Sequence, residues 1–312
     1  MEGLIKNHSP GWKIIFTAFL VIPFLFSCAT RNRLAGLNSQ LPSLIQQKRY
    51  YEAEDTAKKS LEQAVKQFGQ NNINVAGALN NLADIYRIQK RYAEAEPLYV
   101  QALIILRKSD GKRNYLVAEV LYNLACIYQK QNRYAEAEPL LSQTLHIWRK
   151  VLGSDHPYVA KALNRLAFNY KMQGKYAEAE PLYLLAIDIL KKDYGKDNID
   201  VAYSMNNLAN IYGAQGRYSE AEPLYNQSLE IMEKVAGPKS IDVAVSLINM
   251  SNFYRIQGKC IKADQLAKRS REISAKIPGM SKLLEVKAPV NFGMCVKRMA
   301  RLDEDKSLDI QT

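Results

Sequence analysis

Histidine is scarce in this 312-residue chain: there are three, beside four cysteines and two tryptophans. The cysteines, Cys28, Cys126, Cys260 and Cys295, form no Cys-x-x-Cys pair. With so few histidines to complement them, no metal ligand set is expected. A disulfide framework is not expected either. Cys126 and Cys260 fall at helical positions where a buried free thiol is the simpler reading. No Ser/His/Asp arrangement, phosphate-binding loop or dinucleotide fingerprint occurs. Catalysis and a bound cofactor are therefore not expected. His156 falls in a turn and His146 on a helix, both as structural or solvated groups. The net charge of +12 favours acidic partners or anionic surfaces. The basic residues are nevertheless spread along the chain without a dense block, which argues against nucleic acid as a partner.

Long apolar runs are also missing, with one exception. Ile14–Ala29 is apolar, with Lys6 and Lys13 before it and Pro23 inside it. Sixteen residues fall short of the roughly 20 needed for a membrane span. A basic start, a short apolar centre and a small residue near its end read as an export signal.

What the chain has in plenty is tyrosine, 19 residues against 8 phenylalanines, and self-similarity. Arg91–Tyr99, RYAEAEPLY, returns as RYAEAEPLL at Arg133, KYAEAEPLY at Lys175 and RYSEAEPLY at Arg217, always 42 residues on. Weaker copies start at Arg49 and Lys259. A second motif runs in phase, VAGALNNLADIY at Val75, with copies at Val117, Val159, Val201 and Val243. About six units fill residues 33–277, near 33–74, 75–116, 117–158, 159–200, 201–242 and 243–277.

Each unit reads as two helices. Leu79, Leu82, Ala83 and Tyr86 share one helical face, as do Ala95, Tyr99 and Ala102. Gln173-Gly174 and its copies separate the two helices. Pro97, Pro139, Pro181 and Pro223 lie early in the second helix and are expected to tighten or bend its first turn. The pairs Glu94/Glu96 and their copies sit near the start of that helix, where negative charge is favourable. No strand pattern competes. A single hairpin cannot bury its own apolar face, so neighbours must stack. Ala83 and Ala95 are small where helices approach. Tyr86, Tyr128, Tyr170, Tyr212 and Tyr254 are large where they fill space between hairpins, so the tyrosine count is explained as packing.

The order Leu-x-x-Leu-Ala-x-x-Tyr followed by Ala-x-x-x-Tyr-x-x-Ala resembles the tetratricopeptide repeat. The 42-residue form, with LNNLA, YAEAEPLY and VLGSDHPYVA, is similar to the repeats of kinesin light chains and their bacterial relatives. The resemblance covers about three quarters of the chain. It implies an all-α solenoid of about six helix-turn-helix units wound into a right-handed superhelix. It does not carry over a motor role, since no heptad segment precedes the repeats. Separately, Leu25-Phe26-Ser27-Cys28 resembles a bacterial lipoprotein signal, which implies cleavage before Cys28 and lipid on its sulfur. Residues 1–28 then form the signal. An uncut signal anchor and a cleaved, secreted form remain open beside it.

The repeat resemblance also implies where ligands sit. The first helix of each unit lines an inner wall, exposed at set positions. The sixth position holds Asn81, Asn123, Arg165, Asn207 and Asn249. The fifth holds Asn80, Tyr122, Asn164, Asn206 and Ile248. The ninth holds Asp84, Cys126, Phe168, Asn210 and Asn252, and the second Gly77, Glu119, Lys161, Tyr203 and Val245. Asparagine is a poor helix former, and its amide can both donate to and accept from an extended peptide. The alternative is that these amides face solvent or brace the next hairpin. Lys161, Arg165 and Asn123 resemble half of a carboxylate clamp, but Asn80 and Asp84 stand where its other half would be. The milder expectation is an acidic side chain in the ligand.

These readings lead to a non-enzymatic scaffold that holds partner peptides, tethered through its N-terminus to a bacterial cell-envelope membrane. A self-assembling repeat protein and a secreted or cytosolic adaptor are the alternatives, and the sequence fixes no oligomeric state. Residues 278–312, with Pro278, Gly279 and Pro289, read as a partial cap or a flexible tail.

Overall fold

A computed structural model describes residues 34–108 and 114–277. The expectations for Cys28, residues 14–29, Cys295 and residues 278–312 fall outside the described residues. The described chain is all-α, an array of helical hairpins. Helix α1 covers 34–46 and pairs with α2 (Tyr50–Phe68). There follow α3 (Ile73–Ile88) with α4 (Tyr92–Lys108), and α5 (Asn114–Lys130) with α6 (Tyr134–Leu152). The later hairpins are α7 (Pro157–Met172) with α8 (Tyr176–Tyr194), α9 (Ile199–Ala214) with α10 (Tyr218–Ala236), and α11 (Ile241–Ile256) with α12 (Cys260–Ser274). The chain forms two compact bodies, one ending at Ile147 and one starting at Trp148.

The first helices start on side-chain caps. Asn72 Oδ1 accepts from the Asn74 amide at 2.9 Å, and Asn198 Oδ1 from the Asp200 amide at 2.7 Å. His156 Nδ1 accepts from the Tyr158 amide at 3.1 Å, so this histidine is a cap, with Pro157 opening the helix behind it. The second helices start differently. Arg49, Lys175, Arg217 and Lys259 stand at the cap position and supply no cap oxygen. The α4, α6, α8 and α10 helices each run on through their proline. Between the helices of a hairpin one residue takes left-handed backbone. Gly174, Gly216 and Gly258 do so at φ 73–75°, while Lys48, Lys90 and Asn132 do so at φ 58–63°. Those three accept the strain that glycine removes.

Packing follows the sequence pattern. Ala83, Ala95, Ala125, Ala167 and Ala209 are fully buried, as are Tyr99, Tyr183 and Tyr254. Hydroxyls at one repeated position of the second helix tie it to the first: Ser228 Oγ donates to the Ala202 carbonyl at 2.7 Å and Ser270 Oγ to that of Ala244 at 2.8 Å. First helices of neighbouring hairpins also touch, α3 with α5, α7 with α9 and α9 with α11. Cys126 is a buried free thiol. Cys260 is not: it is disulfide-bonded. Its place at the start of a helix left room for a pairing that helical periodicity does not report.

The repeated Arg and Glu form the lateral fastening. Within the first body Arg91 Nη1 donates to Glu54 Oε2 at 2.6 Å, and Arg133 Nη1 to Glu96 Oε2 at 2.8 Å. Within the second, Arg217 Nη1 donates to Glu180 Oε2 at 2.7 Å. Each acceptor belongs to the preceding hairpin. The same guanidinium also pairs with the glutamate three residues on, as Arg133 does with Glu136 at 2.6 Å. It stacks on the tyrosine that ends the first helix, 4.3 Å above Tyr86, 4.0 Å above Tyr128 and 3.9 Å above Tyr212. In the last hairpin Lys262 takes this place, 3.2 Å from Glu222 and 4.1 Å above Tyr254. The glutamate pairs are thus more than helix-start charges: one member serves its own hairpin and the other the next.

This arrangement sets a pH dependence. The Arg217 hydrogen bond holds the Glu180 carboxyl below its ordinary range, against burial. The Tyr254 hydroxyl, then Lys262, do the same for Glu222. At Glu54 burial opposes ionisation, but the donors Lys58, Gln89 and Arg91 together outweigh it. Carboxyls depressed in the folded state add stability above their unfolded values near about pH 4, and that stability is lost as pH falls through the folded values. The urea midpoint, followed by circular dichroism, should therefore drop between about pH 6 and 3. Glu180→Gln should flatten that drop; an unchanged slope would contradict the role given to Glu180.

Candidate functional site

The wall positions divide into two classes. In the first body Asn80 is 7 % exposed and Asn123 8 %. Asn123 Nδ2 donates to Asp84 Oδ2 at 3.2 Å and to Asn80 Oδ1 at 3.5 Å, across neighbouring hairpins. Asp84 also receives the Tyr99 hydroxyl at 2.8 Å and Arg87 Nη2 at 2.7 Å. In the second body Asn164 Nδ2 donates to Ser204 Oγ at 2.8 Å. One hairpin on, Asn206, 5 % exposed, repeats the bond to Ser246 Oγ at 3.0 Å. Asn249 Nδ2 closes back onto Asn206 Oδ1 at 2.6 Å.

The expectation of exposed amides throughout the ladder is corrected here. Asn80 and Asn206, at the fifth position, and Asn123, at the sixth, are buried and brace neighbouring hairpins. Neighbouring hairpins cover them, and a buried amide requires partners. Ser204 and Ser246 supply them one hairpin on. Those serines were the sequence signal for the brace, sharing the register of Ala78 and Ala162 but carrying a hydroxyl.

The remaining positions face outward in part. Asn81, Asn164, Arg165, Asn207, Asn210, Asn249 and Asn252 are half-exposed, and Lys161 is exposed. Some are already oriented by neighbours. Lys171 Nζ donates to Asn207 Oδ1 at 3.0 Å. Asn210 Oδ1 accepts the Tyr225 hydroxyl at 2.9 Å while its Nδ2 donates to the Asn206 carbonyl at 2.8 Å. Arg255 Nη1 reaches Asn252 Oδ1 at 3.4 Å. Lys161 Nζ stands 5.7 Å from the Tyr158 ring centre. Asn123 belongs to the first body, Lys161 and Arg165 to the second. Such a wall can offer hydrogen bonds and positive charge. Among the described residues no group of three His, Cys, Asp or Glu is placed to hold a metal ion. No described helix is long and apolar enough to cross a membrane.

The ninth position has a second consequence. Tyr99 and Tyr225 give their hydroxyls to Asp84 and Asn210. For their copy Tyr183 the residue in that register is Phe168, and its buried hydroxyl has no hydrogen-bond partner among the described residues. Burial drives the Tyr183 phenol well above its ordinary range, with the Arg165 charge acting against it. A buried unsatisfied group costs about 1–3 kcal/mol, and a hydrogen bond to a charged acceptor contributes about 1.5–3 kcal/mol. Tyr183→Phe should leave stability unchanged or raise it by about 1 kcal/mol. Tyr99→Phe should lower it by about 1–2 kcal/mol. Paired urea titrations measure both, and equal losses would contradict the difference in partners.

The tetratricopeptide repeat pattern matches the chain in five overlapping stretches, 43–108, 74–145, 116–192, 158–234 and 200–276. No curated protein matches significantly in sequence. Among solved structures, the nearly identical TPR-like repeats of a kinesin-light-chain-type protein from Podosopora anserina are 26 % identical, covering 67 % of this chain and 99 % of that one, with a TM-score of 0.56. BtubC (BKLC) from P. vanneervenii is 20 % identical over 80 % of this chain and 93 % of its own, TM-score 0.58. A Rap protein complexed with competence and sporulation factor is 16 % identical, over 87 % and 76 % respectively, also at 0.58. The repeat pattern spans well over half of the sequence, and the chain belongs to the tetratricopeptide repeat family.

Proposed function

We propose that this chain is a non-enzymatic protein-interaction scaffold that binds peptide segments of partner proteins along the wall of its first helices. The observation that carries the reading is the second class of wall positions. Asn81 in the first body, and Arg165, Asn207 and Asn249 on three successive hairpins of the second, are half-exposed on helices braced by their neighbours, while Asn123 at the same position is buried. Pre-positioned amides suit an extended backbone, because each supplies both donor and acceptor. A Rap protein of the same fold occurs in complex with competence and sporulation factor, so the fold can hold a second molecule. Lys161 and Arg165 favour acidic side chains near the start of the second body, where a charge-assisted bond contributes about 1.5–3 kcal/mol.

The scaffold works, in this reading, at a bacterial cell envelope, held there through its N-terminal segment with Cys28 as the lipid-bearing residue. Support comes from the basic start and apolar run before Cys28.

The test is site-specific photo-crosslinking in the native host. A benzophenone amino acid at Arg165, Asn207 or Asn249 should capture partner proteins. The same group at Leu185, exposed on a second helix, should capture none of them. Lys161→Glu with Arg165→Glu should weaken an acidic partner at least ten-fold. Capture from Leu185 alone would place binding on the other face and overturn the reading.

A further inference from the structure

We infer that one edge of the first body, carrying Lys66, Arg107 and Lys108, docks on an anionic lipid surface. This rests on the reading of the N-terminus as a membrane tether, and names the face that the tethered chain turns to the bilayer.

The second helix of each hairpin runs antiparallel to the first. The starts of α1, α3 and α5 therefore share an edge with the ends of α2 and α4. The packing agrees: Leu34 at the start of α1, Ile73 at the start of α3, Leu106 near the end of α4 and Leu116 near the start of α5 line one cavity. Ser60 Oγ also donates to Asn38 Oδ1 at 2.6 Å, joining the early part of α1 to the later part of α2.

A lysine recurs at the end of the second helices. Lys66, Lys108, Lys150, Lys192, Lys234 and Lys276 follow one another at 42 residues, all exposed. The helix dipole favours a cation there, which accounts for the recurrence. It does not account for the surroundings, which differ between the bodies. In the second, Lys192 pairs with Asp188 at 2.8 Å and Lys234 pairs with Asp197. In the first, Lys66, Arg107 and Lys108 are exposed and have no ion-pair partner among the described residues. Residues 34–40, 63–74, 103–108 and 115–118, which build this edge, include no Asp or Glu. Glu62 lies one turn deeper along α2. At the opposite edge of the same body the charges are matched, Arg91 with Glu94 and Arg133 with Glu136.

The tether selects the occupant. Cys28 stands six residues before Leu34, a span of at most about 20 Å. Lipid on Cys28 holds the start of α1, and this edge with it, close to the bilayer. Attraction between basic residues and anionic headgroups fades within about 8–10 Å. Three cations free in solution would bind such a surface weakly. Tethering raises their effective concentration there, so a weak contact persists.

The test uses the full chain purified from the native host and reconstituted into vesicles. One set is phosphatidylcholine alone; the other mixes phosphatidylcholine and phosphatidylglycerol two to one. A benzophenone amino acid stands at Gln70 on this edge, or at Ala93 on the opposite one, both exposed. In the mixed vesicles Gln70 should crosslink phosphatidylglycerol at least about ten-fold more than Ala93 does. Lys66→Gln with Arg107→Gln and Lys108→Gln should remove most of that excess and leave the melting curve unchanged. Equal crosslinking from the two positions, no lipid adduct from Gln70, or an excess retained by the triple variant would each overturn the inference. Capture of a protein in place of lipid from Gln70 in the native host would also overturn it, and would assign the edge to an acidic partner. Retention by phosphatidylcholine vesicles reports the tether separately. A chain left in solution there contradicts the tether; a chain retained without the Gln70 excess contradicts the docking edge alone.

Discussion

A guanidinium shared between two carboxylates fastens one hairpin to the next. Arg91, Arg133 and Arg217 each pair with a glutamate on their own helix and with one on the preceding hairpin. Each also lies over the tyrosine that ends its own first helix. Apolar burial between hairpins supplies most of the cohesion, but it is non-directional. Small, fully buried alanines let the helices close up without deciding how far one hairpin slides along its neighbour. The shared guanidinium does decide it, because its fork accepts two carboxylates in only a narrow set of positions. In the last described hairpin a lysine performs the task, as a point charge without the fork.

The wall depends on that register. Asn164 and Asn206 reach serines on the following hairpin at 2.8 and 3.0 Å, and Asn123 reaches back to Asp84 at 3.2 Å. A slide of one ångström or so would break these bonds and strand buried amides. With the braces in place, the half-exposed Asn207 and Asn249 are held one hairpin apart in the second body. Binding groups fixed in advance lose less entropy when a partner docks. The same amide ladder thus does two jobs: Asn80, Asn123 and Asn206 are buried against neighbouring hairpins, while Asn81, Asn207 and Asn249 are half-exposed.

The hairpins were legible in the sequence because in-phase copies of two motifs carry both the helical period and the breaks. The role of the glutamates was legible only in part. Arg and Glu recur in the same register, yet sequence alone places Glu96 near a helix start and does not show which arginine it meets 37 residues on. The asparagines were harder. Positions five and six are adjacent on a helix, and only the crossing of the next hairpin decides that Asn80 is covered while Asn81 is not. Asp84, read as an obstacle to a carboxylate ligand, is the acceptor at the centre of a network with Tyr99, Arg87 and Asn123. The Cys260 disulfide left no trace in periodicity.

The claim that the shared guanidinium couples successive hairpins is tested most directly by a double-mutant cycle on Arg133 and Glu96. Arg133→Gln, Glu96→Gln and the double variant would be unfolded in urea at neutral pH, beside the wild type. Coupling predicts that each single change removes most of what the double change removes, so the double variant loses clearly less than the sum of the two. Losses that simply add would contradict it, and would assign the register to apolar packing alone.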